Sequence, residues 1–159
     1  MSHITETVEV DVPVRVAYDQ WTQFEQFPRF MEGVDRVIQL DDKTLDWTAS
    51  IAGKVKHWRA TITHQEPDQV VAWRSVDGAR NDGSVRFESL APNRTRVVLD
   101  LEVDPEGPLE TAGDALGFVS RRAKADMERF KAFIEARGQE TGAWRGSIHP
   151  SGTVEPDRS

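Results

Sequence analysis

Few side chains in this sequence have the types and spacing that catalysis requires. The four histidines stand singly, at His3, His57, His64 and His149, and no two are spaced to share a metal ion on one helix or strand. Ser120 lies outside any Gly-x-Ser-x-Gly motif, and no glycine-rich loop precedes a helix, so neither a serine nucleophile nor a phosphate-binding loop is expected. The absence of cysteine excludes thiol catalysis and disulfide bonds. We therefore predict no metal and no cofactor.

Three side chains remain as catalytic candidates that could move protons: Arg74, His64 and Tyr18. Arg74 follows Trp73 in an apolar run, and only one of two successive strand residues can face inward. An inward Arg74 would anchor a carbonyl, carboxylate or quinone oxygen. His64 continues the inward alternation that starts at Trp58, where a neutral imidazole could shuttle a proton near pH 7. The simpler interpretation of His64 is a hydrogen-bonded residue at a strand end.

Alternating apolar and polar residues predict that most of the chain forms strands. The pattern is clearest over residues 8–12, 45–51, 58–62 and 97–103, and shorter runs cover 34–40, 69–76 and 85–87. The connections, such as Asp77-Gly78 and Asn81-Asp82-Gly83, are rich in turn-forming residues and too short for parallel crossovers. The sequence therefore predicts seven strands, six of them in an antiparallel meander with one apolar face.

Helical signals flank this meander. Two small helices are predicted after the first strand, one beginning near Pro13 and one ending near Pro28. A long helix is predicted over residues 109–137, with Pro108 before it and Gly138 after it. At about 40 Å it is the only element long enough to cover the apolar face of the sheet. We predict an α+β domain over residues 1–138 and a flexible tail over residues 139–159, in which Trp144 is the one candidate for docking.

Composition narrows the class of protein. With 159 residues, 38% hydrophobic and 30% charged, the chain suits one folded domain. No apolar run approaches the roughly 18 residues of a membrane span, and the N-terminal residues lack the pattern of a secretory signal. The net charge of −7 disfavours nucleic acid as a partner. The absence of cysteine fits a cytoplasmic location.

Several stretches resemble the START-like (SRPBCC) superfamily, and most closely its bacterial polyketide cyclase/dehydrase and coenzyme-Q-binding groups. The resemblance covers about residues 3–137 and rests on Trp21-Thr22-Gln23-Phe24, Phe27-Pro28-Arg29-Phe30-Met31, Trp58-Arg59-Ala60-Thr61-Ile62, Val71-Ala72-Trp73-Arg74-Ser75, Gly83-Ser84-Val85-Arg86-Phe87 and Arg129-Phe130-Lys131. It implies a helix-grip (Bet v 1-like) fold, in which a curved seven-stranded sheet wraps the long helix around an elongated cavity. The cargo implied is hydrophobic: lipids, isoprenoid quinones or polycyclic polyketides.

The residues predicted to line this cavity combine small side chains with bulky aromatic ones. Trp47 and Trp58 alternate with alanines on their strands, and glycines occur on the facing helix. Because native interiors pack at a density near 0.75, such a face leaves a volume for cargo. The alternative is that residues 105–115 are a loose lead-in and the regular helix begins only near Leu116. A cluster of aromatic residues after the first strand is a candidate gate. The predicted ligand-binding residues are Trp21, Phe27, Phe30, Met31, Trp47, Ala49, Trp58, Ala60, Trp73, Arg74, Phe87, Gly113, Leu116 and Gly117.

Three functions are compatible with these features. The first is binding or transport of a hydrophobic small molecule, and this is the function we predict. The second is an enzyme, a polyketide cyclase/aromatase or dehydratase that folds a poly-β-ketone chain and moves its protons. The third is a module that contacts a protein partner or a membrane surface through the tail near Trp144 or through the aromatic gate. The identity of the ligand and the oligomeric state leave no mark in the sequence.

Overall fold

The computed structural model describes residues 2–51, 53–78, 80–103 and 109–157, and of residues 2, 51 and 109–118 only the backbone is described. In chain order the elements are β1 (Ser2–Val10), α1 (Val14–Trp21), a 3-10 helix (Phe24–Arg29), β2 (Val34–Gln39), β3 (Thr44–Ile51), β4 (Lys54–Glu66), β5 (Val70–Gly78), β6 (Asn81–Ala91), β7 (Arg94–Val103), α2 (Leu109–Arg137), β8 (Ser147–Ile148) and β9 (Val154–Glu155). No helix within these ranges is long and apolar enough to cross a membrane.

Seven of the strands form one antiparallel sheet in the order β1-β7-β6-β5-β4-β3-β2. From β2 to β7, strands that are consecutive in the chain are also neighbours in the sheet, as the short connections predicted. The long helix α2 packs on the inner face, where its Phe130 and Ile134 are fully buried with Val10, Val85 and Val97 of the sheet. The α+β helix-grip fold predicted from the sequence is confirmed.

A bulge in β4 changes which of its residues face inward. It lies between Ile62, which pairs with Trp73, and His64, which pairs with Ala72. An extra residue in one strand shifts the alternation by one position, and here it turns Gln65 to the inner face, where it is 1% exposed. The prediction that His64 continues the inward register is therefore wrong, because simple alternation does not anticipate the bulge.

Residues 139–157 pack against the domain, in place of the loosely held tail predicted there. β8 pairs with β4 through Gln65 and Ile148, and β9 pairs with β8, so the sheet has nine strands in all. Pairing of β4 with β3 ends at Thr61, which leaves the last residues of β4 as a free edge. The tail covers that edge, and the fully buried Ile148 joins the core.

Candidate ligand cavity

A half-enclosed apolar cavity of about 140 Å³ lies between the inner face of the sheet and α2. Its walls come from both small helices, from β2 to β7 and from α2. Most of the lining atoms are carbon, and the lining residues are Trp21, Phe24, Phe27, Met31, Gly33, Val34, Leu45, Trp47, Ala49, Ser50, Trp58, Ile62, Val71, Trp73, Asn81, Val85, Leu99, Leu101, Val119, Arg122, Ala123, Asp126 and Met127. Such a concave apolar space with a few polar groups is typical of small-molecule sites.

Three tryptophans on adjacent strands form the flat side of the cavity. Trp47 and Trp58 are directly opposite each other on β3 and β4, and their rings stack at 5.6 Å with an interplanar angle of 7°. On β5, the indole N–H of Trp73 donates to Asn81 Oδ1 at 3.1 Å. Trp73 lies across from Gly83, where a Cβ would come within 2.9 Å of the Trp73 ring. The glycine therefore gives the indole room to lie flat on β6.

The aromatic residues after β1 form a second wall, which we call the aromatic wall: Trp21, Phe24 and Phe27. The Phe27 ring meets Trp21 at 5.0 Å and Phe24 at 5.5 Å, both nearly edge-on. Trp21 also rests on Phe130 of α2, at 5.2 Å. Edge-on contacts of this kind add about 0.5–1.5 kcal/mol each to the burial of the rings. The wall is thus a packed aromatic cluster that borders the cavity.

One end of the cavity is polar, and α2 supplies it. Arg122 and Asp126 lie one turn apart on the helix and both border the cavity. Asp126 is 9% exposed and accepts hydrogen bonds from Arg129 Nη2 at 2.6 Å and from the Glu32 backbone N–H at 3.3 Å. Burial raises the pKa of Asp126, although both arginines and the Glu32 N–H oppose the shift. This carboxyl group is therefore easier to protonate than one on the surface.

Seven of the residues predicted to contact a ligand line the cavity: Trp21, Phe27, Met31, Trp47, Ala49, Trp58 and Trp73. Three others are buried but lie away from it. Phe30 packs against Phe130 and Phe133, Phe87 meets Tyr18 edge-on at 5.4 Å, and Ala60 packs in one cluster with the tryptophans. Gly113, Leu116 and Gly117 fall on positions of α2 whose side chains are outside the description, so their predicted contacts stay predictions.

None of the three predicted proton-moving residues lines the cavity. Trp73 faces inward, and Arg74 is exposed on the opposite face, so Arg74 cannot anchor a ligand there. The bulge turns His64 away. Tyr18 is fully buried, its hydroxyl accepts a hydrogen bond from Gln65 Nε2 at 3.0 Å, and burial raises its pKa. Within the described ranges no three His, Asp or Glu side chains gather as a metal site requires.

The polar residues that do border the cavity were missed by the sequence reasoning. Arg122 and Asp126 each directly precede an apolar residue of α2 that lines the cavity, Ala123 and Met127 respectively. A charged pair spaced i, i+4 along the edge of a buried stripe was the available signal. Without the sheet in place, however, the same spacing is also typical of a solvated helix face.

An antiparallel sheet gripping a long C-terminal helix, with an apolar cavity between them, defines a protein of the helix-grip fold. The family model described as "Polyketide cyclase / dehydrase and lipid transport" matches residues 10–132. The chain belongs to this family.

The chain is also similar to individual proteins. A Streptomyces lincolnensis protein named "Uncharacterized 17.2 kDa protein in melC2-rnhH intergenic region" is 50% identical over 149 residues, which span 93% of this chain and 99% of that one. The crystal structure of the Zhui aromatase/cyclase of a Streptomyces species matches with a TM-score of 0.73 at 20% identity, over 89% of this chain and 98% of that one. A START superfamily protein from Mycobacterium smegmatis matches with a TM-score of 0.65 at 17% identity, over 85% and 95% of the two chains. At these identities the two structures support the fold alone.

Proposed function

We propose that this protein binds a hydrophobic small molecule, such as a lipid, an isoprenoid quinone or a polyketide, in the cavity between the sheet and α2. The observation that carries the proposal is the cavity itself, an apolar space flanked by the stacked Trp47 and Trp58 and by the aromatic wall. Removal of apolar ligand surface from water would supply the affinity, at about 25 cal/mol per Å². Flat aromatic rings favour a ligand with planar, unsaturated parts.

Polar groups at the α2 end would orient the ligand. The Arg122 guanidinium can donate to a carbonyl or quinone oxygen, and the Asp126 carboxylate can accept from a hydroxyl group. The indole N–H groups of Trp21 and Trp47 are buried and have no acceptor among the described residues. A ligand oxygen placed beside either ring would provide that acceptor, which is worth about 1–3 kcal/mol for a buried donor.

The size of the cavity sets a limit on how the ligand enters. An engineered cavity of about 150 Å³ holds one benzene ring. The cavity here, at about 140 Å³, therefore holds only part of a lipid, quinone or polycycle in its present shape. The rest of the ligand must project through the open side, or binding must widen the cavity.

The test combines native mass spectrometry of the freshly purified protein with a titration followed by tryptophan fluorescence. We expect either a co-purifying hydrophobic molecule or saturable quenching by decylubiquinone, because four of the five tryptophans line the cavity. Ala123→Leu, which fills the cavity from α2, should weaken the quenching at least about ten-fold. Lys124→Leu, at the exposed neighbouring position, should leave it unchanged. Quenching of equal affinity in both variants would refute binding in this cavity.

A second candidate function is the polyketide cyclase/aromatase or dehydratase reaction, and Asp126 is the observation that favours it. A carboxyl group of raised pKa at the edge of the cavity can take a proton from one carbon of a poly-β-ketone and return one to a leaving hydroxyl. Asp126→Asn should then abolish turnover of a poly-β-ketone mimic and leave its binding intact, whereas the exposed Glu128→Gln should change neither. If the unaltered protein binds the mimic normally but does not turn it over, the enzyme function is refuted and only the binding function remains.

A further inference from the structure

The C-terminal segment of residues 139–157, which we call the clasp, lies against the end of α1. Gln20 and Thr141 exchange two hydrogen bonds: the Thr141 backbone N–H donates to Gln20 Oε1 at 2.9 Å, and Gln20 Nε2 donates to Thr141 Oγ1 at 3.0 Å. The Trp144 backbone N–H donates to Thr22 Oγ1 at 3.0 Å. Gln20 and Thr22 are both buried, whereas Thr141 and Trp144 are half-buried, so these bonds are partly shielded from bulk water.

A buried ion-pair bridge fixes the clasp to two further elements. Arg145 Nη1 contacts Asp19 Oδ1 at 2.6 Å, and Arg145 Nη2 contacts Asp68 Oδ2 in the β4–β5 turn at 2.9 Å. The guanidinium also lies over the ring of Tyr18, 5.6 Å from its centroid. Asp19 is 1% exposed, and a charge buried to this degree is costly without its partner. Arg145 therefore ties α1, the turn and the clasp into one unit.

The clasp and the cavity meet at the same short stretch of chain. The clasp binds Asp19, Gln20 and Thr22, and these residues flank Trp21, the first member of the aromatic wall. Between the end of α1 at Trp21 and the start of the 3-10 helix at Phe24, the backbone is held by short-range hydrogen bonds from the Thr22 and Gln23 N–H groups to the last turn of α1. The clasp contacts the side chains of that same last turn. Release of the clasp would therefore leave the turn that carries Trp21 with only these short-range bonds and its own packing.

We propose that the clasp positions the aromatic wall of the cavity, with Arg145 as the positioning residue that locks it in place. This proposal rests on the proposed function for its consequence in ligand binding, but the positioning itself can be measured on the free protein. When the lock is intact, Trp21 is held against Phe27 and Phe130. When it is broken, residues 19–24 fluctuate and the cavity loses a wall.

The experiment compares full-length Arg145→Ala with Arg74→Ala, a control that removes an exposed arginine from the outer face of the sheet. Hydrogen–deuterium exchange of the free proteins should show amides 19–24 and 141–148 exchanging at least about ten-fold faster in Arg145→Ala only. Arg145→Lys should restore part of the protection, since it keeps the charge but loses the two-armed bridge. Asp68→Asn serves as a milder break of the lock, should Arg145→Ala fold poorly.

The affinity of the hydrophobic dye anilinonaphthalene sulfonate is the second measurement, made where circular dichroism shows each variant fully folded. We expect affinity to fall in the order unaltered protein, Arg145→Lys, Arg145→Ala, in step with the exchange at residues 19–24. Faster exchange of the clasp with unchanged exchange at residues 19–24 would overturn the proposal. Unchanged exchange in both segments would overturn it too. If the unaltered protein binds no dye, the proposed function fails while the exchange data still decide the role of the clasp.

Discussion

The sharpest test of the cavity is to fill it from the sheet side with Ala49→Leu. Ala49 lines the cavity on β3 and is 4% exposed, so a longer side chain has empty space ahead of it rather than packed atoms. If the cavity exists for a ligand, a side chain that fills it should stabilise the protein and at the same time abolish ligand binding.

The magnitude follows from the area that the new side chain removes from water. Leucine adds three carbon atoms to alanine, and each buried methylene group contributes about 0.8 kcal/mol. The upper limit is therefore about 2.4 kcal/mol. Because the cavity is half-enclosed, we expect the free energy of unfolding to rise by about 1–2 kcal/mol.

Ala60→Leu is the matched control, because Ala60 is a fully buried alanine on the neighbouring strand β4 that lies away from the cavity. Added carbon atoms there must displace packed neighbours, which typically costs 1–3 kcal/mol. Urea denaturation of both variants should thus show shifts of opposite sign, separated by at least about 2 kcal/mol. Loss of stability in both variants would refute the empty space at Ala49. Stabilisation of Ala49→Leu with undiminished decylubiquinone binding would refute its use as the ligand site.

Three further predictions concern Asp19, Gly83 and Met127. Burial, together with the neighbouring Glu140, raises the pKa of Asp19 to about 6 despite Arg145. Stability that is present below about pH 4 should therefore be lost, by about 3 kcal/mol, as the pH rises through 6. Arg15 and Asp68 are the other charged residues of this site. Asp19→Asn should flatten the dependence on pH, between pH 4 and 8, of the unfolding free energy measured by urea denaturation. An identical dependence in both proteins would contradict the assignment to Asp19. Gly83→Ala would bring a Cβ against the Asp100 carbonyl oxygen and the Trp73 ring, so we expect the free energy of unfolding to fall by about 1–3 kcal/mol and the tryptophan emission spectrum to shift. In the control Gly53→Ala, the new Cβ meets no atom, and the emission should stay unchanged. Met127 is a buried residue that lines the cavity, so Met127→Ala should lower the free energy of unfolding by about 2–5 kcal/mol and let ligands with an added ring bind better. An unchanged ligand preference would show that Met127 does not limit the size of the cavity.

The sequence predicted the fold well because the information for this fold is local. Alternation of apolar and polar residues indicates most of the strands, short turn-type connections force antiparallel neighbours, and Pro108 and Gly138 frame the long helix. Of the ligand-binding residues predicted from the sequence, half do line the cavity. A tryptophan or alanine in phase with its strand lies on the inner face of the sheet, and that phase can be read from the sequence.

The orientation of Arg74 and His64 could not be predicted, for two different physical reasons. The run 70–76 carries apolar residues at both phases, and Trp73 faces inward because it pairs with Ile62 on one side and with Gly83 on the other. His64 follows a bulge that has no signature in composition or spacing.

The clasp was missed because its contacts join distant parts of the chain. Arg145 and Asp19 are 126 positions apart, and nothing near Arg145 in the sequence indicates a buried acidic partner. Glycine, serine and charge in residues 139–159 are typical of a loosely held tail. Ile148, seated at the free end of β4, and the ion pairs of Arg145 together reverse that expectation.

The cavity lowers the stability of the fold, so the stability of the fold alone does not explain why it is kept. Native interiors approach the packing density of organic crystals, and each methylene group that could fill the space would add about 0.8 kcal/mol of stability. Around this cavity the chain instead places Ala49 and Ala123, and it stacks Trp47 on Trp58 rather than into the space. Elsewhere in the same core, Phe130 and Ile134 are fully buried, so the chain packs densely where no ligand is proposed. Selection for stability would remove such a difference between two parts of one core, whereas selection for a hydrophobic ligand would preserve it.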